Sequence, residues 1–457
     1  MQKFLGNKVH FTSLGCPRNL VDSEVMLGTL LQAGYEPASC VEEADFLIVN
    51  TCGFLEESRQ ESCDTIATLF GEKKSEAKVI VTGCMVQKHG KEIREKFPNV
   101  HYFLGSGDVE KILEAVRAPE AGDAITSAKS FLQWGEVPRQ LSTPKHYAYL
   151  KIAEGCRKRC AFCLIPSIKG PLKSKSHEQV LKEFRALLQS GVKEVILIAQ
   201  DLGDFGKERK EIGGLEALLK ELLSIEGDFW LRLLYLYPDE ITEGIIELIE
   251  KNPRLCPYLD MPIQHINNVI LKAMHRTTSK EAIIAMIDTL HRRVPHIVIR
   301  TILMVGFPGE TEEQFEELVD FVKNYPLDNV GIFKFSSEEG TKAATLARHV
   351  DEETKTKRHE RLARVQLESV RKNNQRFIGQ RLKVLVEGYH PESKMLMRGR
   401  FYGQCPEIDG HVIINDGRKV KAFGEFYEVE ITDCFDYDLV GKVVHPTRSK
   451  TLSLVHE

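Results

Sequence analysis

The sequence lacks the features of a membrane, secreted or repetitive protein. No apolar run approaches the roughly 18 residues that a membrane-spanning helix needs. The first residues, Met1 to Lys8, become polar too soon for a signal peptide. We find no repeat of solenoid length and no low-complexity tract. We therefore expect a cytoplasmic protein with no membrane partner.

The sequence also lacks an excess of charge of one sign. Its 62 Lys and Arg residues are matched by 66 Asp and Glu residues, which gives a formal net charge of −4. Nucleic-acid binders usually carry a basic excess. Overall charge therefore does not favour that class, and only a local basic patch would indicate it.

Length and cysteine content are more informative. A chain of 457 residues, 42% of them hydrophobic, is long enough for about three domains with buried cores. Its 11 cysteines are an odd number in a large chain without a secretion signal. This favours reduced thiols, metal ligands or catalytic thiols over a disulfide framework.

Residues 1–130 predict an α/β domain of the flavodoxin type, in which short apolar strands alternate with amphipathic helices. Their continuous apolar runs are typical of a parallel sheet buried on both faces. Strands are expected at Val9–Leu14, Phe46–Val49, Val79–Val81 and His101–Leu104, with helices at Leu20–Ala33 and 108–117. Residues 118–143 have weak periodicity, and we expect them to form a linker that includes Trp134 as a packing anchor.

Residues 142–375 predict a partial (βα)6 barrel that is closed by a charged helix over 352–377. Its strands are expected at Ala148–Ile152, Glu194–Ala199, Trp230–Leu236, Tyr258–Met261, Val298–Val305 and Asn329–Phe335. Residues 376–441 contain about five short strands separated by turns, which predicts a small antiparallel β-barrel. The fold class is therefore α/β and multidomain.

Three cysteines, Cys156, Cys160 and Cys163, follow the first barrel strand in a C-x3-C-x2-C pattern. Thiolates in one short loop can hold a soft metal centre, either zinc or iron–sulfur. Structural zinc normally takes four ligands, and this loop offers three. A 4Fe–4S cluster held this way keeps one iron open for a ligand, at the mouth where barrel enzymes have their sites. A zinc clip is the alternative.

The triplet resembles that of the radical S-adenosylmethionine (SAM) superfamily. The resemblance implies that Cys156, Cys160 and Cys163 hold a 4Fe–4S cluster whose open iron chelates SAM. Reductive cleavage of SAM would then give a 5′-deoxyadenosyl radical. The loop that contains Gly306 and Gly309 resembles the superfamily's glycine loop that approaches SAM.

A second set of cysteines, Cys16, Cys52 and Cys84, is scattered along the sequence. Each cysteine directly follows one of the first three α/β strands. The carboxyl ends of neighbouring parallel strands meet at one crevice, so we expect these thiols to converge there. Three converging thiolates could hold a second cluster with one open iron. A single cysteine is more often an inert buried residue.

Together these features resemble the methylthiotransferase family of radical SAM enzymes over nearly the whole chain. The matching motifs include 14–24, 50–54 and 165–170. The resemblance implies an auxiliary-cluster domain, a radical SAM barrel and a C-terminal TRAM domain. It also implies two 4Fe–4S clusters and two SAM molecules per turnover, one for the methyl group and one for the radical. Lys169 and Lys175 stand where the family often has Arg, and their roles stay open.

The chain resembles one branch of the family more than the other. Segments 13–17 and 260–266 look like the branch that methylthiolates the β-carbon of an aspartate in small-subunit ribosomal protein twelve. The alternative branch modifies isopentenyl- or threonylcarbamoyl-adenosine in tRNA. Residues 376–441 carry nine basic and eleven acidic side chains, which suits a basic protein partner better than RNA. RNA contact is therefore expected to be weak or indirect.

Other residues carry less specific predictions. Four acidic residues near strand ends are candidate contacts for a basic substrate loop: Asp201, Asp239, Glu338 and Glu339. His265 is expected to be a hydrogen-bonded structural histidine, and contact with substrate or SAM is the alternative. Five cysteines have no partner at ligand spacing and are expected to be structural: Cys40, Cys63, Cys256, Cys405 and Cys434.

A non-enzymatic electron carrier or a zinc-stapled binding protein is the remaining rival class. An electron donor and a sulfur donor are required partners of the enzyme, and the sequence identifies neither.

Overall fold

The computed structural model describes residues 6–126, 130–133 and 137–446. Trp134, the predicted packing anchor, lies outside these residues. None of the helices in the described ranges is both long enough and apolar enough to cross a lipid bilayer.

The first unit is a six-stranded sheet in which every neighbouring pair is parallel. Its spatial order, β2-β1-β3-β4-β5-β6, contains the flavodoxin-type order 2-1-3-4-5, so the predicted fold type is confirmed. The strands are β1 Lys8–Ser13, β2 Glu36–Pro37, β3 Phe46–Thr51, β4 Lys78–Gly83, β5 Tyr102–Gly105 and β6 Gly122–Ala124. The helices are α1 Pro17–Gln32, α2 Glu56–Glu72, α3 Cys84–Lys96 and α4 Ile112–Arg117.

Alternation along the central strands explains why this sheet is covered on both sides. In β3, Phe46 and Ile48 pack into one apolar cluster, whereas Leu47 and Val49 pack into the opposite one. Successive side chains of a strand point to opposite faces, so a fully apolar strand needs a cover on each face.

The linker prediction for 118–143 is wrong at one place, because β6 lies within it and pairs with β5. The strand has only three residues, too few to show a periodic pattern. Gly122 sits against the ring of Tyr102, where a Cβ would lie 2.9 Å from Cε2. Gly122 therefore allows the edge strand β6 to approach β5, although a glycine at this position suggested a loop.

The second unit is an open sheet of six parallel strands, in the order β14-β13-β12-β11-β10-β7. The edge strands β7 and β14 are not neighbours, as expected for a partial barrel. The strands are β7 Tyr147–Lys151, β10 Glu194–Ile198, β11 Trp230–Leu233, β12 Leu255–Asp260, β13 Val298–Val305 and β14 Asn329–Lys334, and a hairpin is formed by β8 Ala153–Glu154 and β9 Lys173–Ser174.

The helices of this unit are α5 Ile165–Lys169, α6 His177–Gln189, α7 Gly214–Ser224, α8 Glu243–Lys251, α9 Asn268–Ala273, α10 Lys280–Arg293, α11 Glu312–Asn324 and α12 Glu352–Asn374. The short helix α5 lies against the first unit, and the longer helices cover the outer face of the sheet. The last of them is the closing helix that the charged segment predicts. All six predicted strands are present, with ends that differ by a few residues.

The third unit is a closed five-stranded barrel. Its strands are β15 Arg381–His390, β16 Ser393–Phe401, β17 Val412–Asp416, β18 Glu425–Phe435 and β19 Asp438–Pro446. Four of its ladders are antiparallel, but β17 and β19 pair in parallel. The turn-separated strands predicted the barrel. The parallel ladder between β17 and β19 was not predicted, because it forms only when strands distant in the sequence close the barrel. The boundaries at 130, 142, 375 and 441 stay predictions.

The small barrel packs against the inner face of the open sheet, and buried charges fix it there. Glu194 at the start of β10 is fully buried and accepts from Arg232 Nε at 2.6 Å. Its second oxygen lies 2.7 Å from Arg400 Nη2 of the small barrel. The ring of Trp230 packs on Phe426 with 4.7 Å between centroids. The third unit is therefore fixed on the second unit by buried ion pairs and aromatic packing.

Replacing Glu194 tests how firmly the two units are joined. Glu194→Gln leaves the buried Arg232 without its counter-charge and removes one of the two carboxylates that pair with Arg400, the other being Glu387. A change of this type costs about 3–5 kcal/mol. We expect a clearly lower urea midpoint for unfolding of the full chain. The control is Glu425→Gln, whose pair with Lys193 is 3.0 Å long and partly exposed, and which should cost less than about 1 kcal/mol. Equal midpoints for the two variants would contradict this view of the interface.

Candidate functional site

The three scattered cysteines of the first unit come together at one edge of its sheet. Cys16 follows β1, Cys52 follows β3 and Cys84 begins α3 directly after β4. The glycines beside them allow the close approach. A Cβ on Gly15 would lie 3.0 Å from Cys52 Sγ, and one on Gly53 would lie 2.8 Å from the carbonyl carbon of Cys84. Each loop therefore lies directly against the next.

Asn19 on the first turn of α1 ties the three loops together. Its amide nitrogen donates to the carbonyls of Leu14 at 3.2 Å and Thr51 at 3.1 Å. Its amide oxygen lies 3.5 Å from Cys84 Sγ. Asn19 is 1% exposed, so these bonds are shielded from water. Asn19 lies within the matching motif 14–24, but its role could not be predicted from the sequence.

The three thiols have different electrostatic surroundings. Burial raises the pKa of Cys52, and it raises the pKa of Cys84 to about 12. Burial acts in the same direction on Cys16, but the Arg18 guanidinium donates a hydrogen bond to its sulfur and holds its pKa below the usual range. Cys16 is therefore the thiol of this set that ionises most readily.

The loop between β8 and α5 of the second unit contains Cys156, Cys160 and Cys163. The Cys163 amide donates to the Cys160 carbonyl at 3.1 Å, and the Ile165 amide donates to Cys163 Sγ at 3.4 Å. Burial raises the pKa of Cys156 to about 11 and of Cys163 to about 12.

Cys160 has two side chains directed at its sulfur. Tyr237 Oη lies 3.8 Å from Cys160 Sγ, and Arg276 Nη1 lies 3.7 Å from it. Neither residue was identified from the sequence, because both are more than 70 residues away along the chain.

Among the described residues, only Asp201, Asp204 and Glu240 bring three potential ligand atoms within 4.8 Å of one another. The assignment of a cluster and not zinc to the two sets of cysteines stays a prediction.

The two sets of cysteines face each other across the interface between the first and second units. Cys84 packs against Leu164 and Ile168, which directly follow the consecutive cysteines. Arg18 crosses the interface and donates to the Ala199 carbonyl at 2.9 Å. The two sets therefore border one shared region.

The interface is held by buried ion pairs, and these include the two lysines of open role. Lys169 lies 3.2 Å from Asp22 of α1 and 2.9 Å from Glu154. Lys151 pairs with the same two carboxylates. Both lysines and both acids are at most 5% exposed.

Lys175 belongs to a neighbouring network. It pairs with Glu183, which also lies 2.8 Å from Arg139. Arg139 in turn pairs with Glu24 of α1 at 2.6 Å. Lys169 therefore joins the barrel to the first unit directly, whereas Lys175 pairs within the barrel and is linked to the first unit through Glu183, Arg139 and Glu24.

The glycine loop after β13 is organised by Glu310. Its carboxylate accepts from the Gly306 amide at 2.6 Å, from Arg358 Nη1 at 2.7 Å and from His265 Nε2 at 3.0 Å. His265 also accepts from the Asn267 amide at 2.9 Å, so the prediction of a hydrogen-bonded structural histidine is confirmed. Glu310 directly follows Gly309, and the sequence alone gave no indication of its role.

Two of the four predicted substrate contacts are wrong. Asp201 is 1% exposed and faces Lys158 at 3.5 Å, and Glu338 is 4% exposed and pairs with Arg59 at 2.6 Å. Both carboxylates face basic side chains of the chain itself, which their positions near strand ends did not reveal. Asp239 and Glu339 reach the surface. Of the cysteines expected to be structural, Cys63, Cys256 and Cys405 are buried, and Cys40 and Cys434 are half-buried.

Comparisons with known proteins agree with this architecture. Family models match residues 8–105 (Uncharacterized protein family UPF0004), 150–322 (Radical SAM superfamily) and 378–444 (TRAM domain). The protein named ribosomal protein uS12 methylthiotransferase RimO of Protochlamydia amoebophila is 64% identical, over 96% of this chain and 93% of that protein. Its namesake in Chlamydia caviae is 57% identical, over 96% of this chain and 95% of that protein.

A solved structure supports the fold. It is that of the radical S-adenosylmethionine methyltransferase TsrM from Kitasatospora setae, with cobalamin and a 4Fe–4S cluster bound. It aligns with a TM-score of 0.53 at 15% identity and covers 72% of each chain.

The lowered pKa of Cys16 gives a testable difference in thiol reactivity. In the reduced, metal-free protein near neutral pH, Cys16 should be alkylated by iodoacetamide faster than Cys84, because the thiolate is the nucleophile. Arg18→Gln should slow labelling of Cys16, and raising the pH should recover part of the rate. Peptide mass spectrometry measures each site. Arg254→Gln, far from both sets of cysteines, is the control. Unchanged Cys16 labelling in Arg18→Gln would show that the guanidinium does not act on this thiol.

Proposed function

Because the chain belongs to the ribosomal protein uS12 methylthiotransferase family of radical SAM enzymes, we propose that it attaches a methylthio group to the β-carbon of an aspartate in that ribosomal protein. The observation that carries the proposal is the pair of three-cysteine sets that face one shared region. An enzyme that joins a sulfur-bearing group to a carbon radical needs both sources beside one substrate.

We assign one 4Fe–4S cluster to each set, with Cys16, Cys52 and Cys84 as ligands of the auxiliary cluster and Cys156, Cys160 and Cys163 as ligands of the radical SAM cluster. When bound, the clusters supply an electron for SAM cleavage on one side and a carrier for sulfur on the other. The soft thiolate ligand set supports this assignment. The chain itself holds the two cluster sites in a fixed position relative to each other and excludes water.

We further propose that the loop containing Gly306 and Gly309 lies against SAM. Both residues have left-handed backbone, with φ of +75° and +86°. A Cβ on Gly309 would meet no atom within 4 Å, so this side of the loop is open to a ligand. A Cβ on Gly306 would lie 2.4 Å from Lys355 Cγ, which gives that glycine a packing reason as well.

The proposed substrate is the ribosomal protein and not tRNA. The relatives that match nearly the whole chain carry the name of the protein-modifying enzyme. The nine basic and eleven acidic residues of 376–441 also suit a basic protein partner. A ribosomal target supports a cytoplasmic location. The reaction further requires an electron donor and a sulfur donor. We retain 1–130, 142–375 and 376–441 as the proposed domains.

Iron content tests the ligand assignment. Reconstituted full-length protein should hold about eight irons, four for each cluster. Cys52→Ala and Cys156→Ala should each hold about four, with SAM cleavage retained in the first and lost in the second. Cys434→Ala, a cysteine outside both sets, should keep about eight. Full iron loading of Cys52→Ala, or stoichiometric zinc in the wild type, would contradict the assignment.

Substrate choice is tested by mass spectrometry. Reconstituted enzyme with SAM, sulfide and a reductant is offered either ribosomal protein uS12 or tRNA. We expect the protein to gain one methylthio group in place of one hydrogen, with fragmentation placing it on an aspartate. Cys52→Ala should give no gain. A gain on tRNA alone would establish the other branch of the family.

A further inference from the structure

The segment that follows β11 contains two tyrosines, and each lies beneath an arginine. The guanidinium of Arg18, from α1 of the first unit, lies 4.5 Å from the ring centroid of Tyr235. The guanidinium of Arg276, from the loop after α9, lies 4.0 Å from the ring centroid of Tyr237. These distances are within the range of cation–π attraction. Two matching Arg–Tyr pairs therefore stand two residues apart on one segment.

Each arginine contacts a different set of cysteines. Arg276 Nη1 lies 3.7 Å from Cys160 Sγ, and Tyr237 Oη lies 3.8 Å from the same sulfur. Arg18 lies two residues from Cys16 on the first turn of α1, and its positive charge lowers the pKa of that thiol. A guanidinium can only donate hydrogen bonds and stays charged at all relevant pH. Each pair thus places a permanent positive charge at one ligand of one cluster.

The surrounding structure holds both pairs in place. Arg18 Nη1 donates to the Ala199 carbonyl at 2.9 Å, and Arg276 Nη2 donates to the Pro262 carbonyl. Tyr235 has left-handed backbone with φ of +63°, which is uncommon for a non-glycine residue and is costly. Its amide donates to Asp260 Oδ2 at 3.2 Å, and its carbonyl accepts from the Leu202 amide at 2.9 Å. The segment is therefore fixed with its two rings under the two arginines.

We propose that these two Arg–Tyr pairs are positioning elements that set the reduction potentials of the two clusters separately. Arg276 with Tyr237 acts on the Cys160 side, and Arg18 with Tyr235 acts on the Cys16 side. The inference rests on the cluster assignment made under the proposed function. A reduced cluster carries one more negative charge than the oxidised cluster, so hydrogen bonds and positive charge at its sulfurs favour reduction and raise the potential. Separate control matters because the two sites have different tasks.

The test is a redox titration of reconstituted full-length protein, monitored by electron paramagnetic resonance. Cys52→Ala isolates the radical SAM cluster, and Cys156→Ala isolates the auxiliary cluster. Adding Arg276→Gln to the first background should shift its midpoint to more negative potential. A tenfold change in the ratio of oxidised to reduced cluster corresponds to about 59 mV for one electron. Adding Arg18→Gln to the second background should lower that midpoint in the same way.

Cross-controls show whether the effect is local. Arg276→Gln should leave the auxiliary midpoint within error. Arg18→Gln should shift the auxiliary midpoint more than the radical SAM midpoint, because the Arg18 charge also acts on Cys163. Arg254→Gln, which removes a guanidinium stacked on Phe229 at 5.1 Å and remote from both sets, should move neither. Arg276→Lys should recover part of the shift, because it restores charge without the planar stack.

Tyr237→Phe covers the case in which Arg276→Gln fails to retain iron. It keeps the ring and removes only the hydroxyl, so it should load normally and shift the radical SAM midpoint alone to lower potential. Unchanged midpoints in variants with full iron content, or equal shifts of both clusters by either arginine variant, would overturn the inference. Loss of the cluster assignment itself would appear earlier, as wrong iron content in the two cysteine variants.

Discussion

The site depends on a group of buried charges between α1 and the partial barrel. Asp22 and Glu154 share the ammonium groups of Lys151 and Lys169, and all four side chains are removed from water. Burying charge is costly unless each group has a close partner of opposite sign. The four groups satisfy one another only when the first unit sits in this position, so the ion pairs select one arrangement of the two units.

This arrangement of the two units brings the two sets of cysteines to one interface. Within the first unit, parallel strands bring three loops to one edge, and Asn19 joins them through hydrogen bonds to Leu14 and Thr51. Within the second unit, a single loop presents the consecutive cysteines. Cys84 then meets Leu164 and Ile168, and Arg18 reaches Ala199 across the gap. The chemistry proposed for this enzyme needs both clusters beside one substrate, and the interface provides that proximity.

Much of this could be predicted from the sequence, because the signals are local. Continuous apolar runs identified the parallel strands, and their order along the chain placed Cys16, Cys52 and Cys84 at one edge. What could not be predicted depends on distant partners. The strand β6 exists because Gly122 fits against Tyr102, and the pairing of β17 with β19 follows from barrel closure. Asp201 and Glu338 were candidate substrate contacts from the sequence, but in the structure they lie beside Lys158 and Arg59. The Arg–Tyr pairs join residues more than 30 positions apart, beyond any periodicity.

The central claim is that two iron–sulfur clusters lie close together at one interface, and magnetic coupling between them tests this most directly. Electron paramagnetic resonance of the doubly reduced protein should show splitting or broadening that is absent from the summed spectra of Cys52→Ala and Cys156→Ala. Such an interaction falls steeply with distance, so it reports proximity independently of catalysis. A wild-type spectrum equal to that sum would place the clusters far apart and contradict the account.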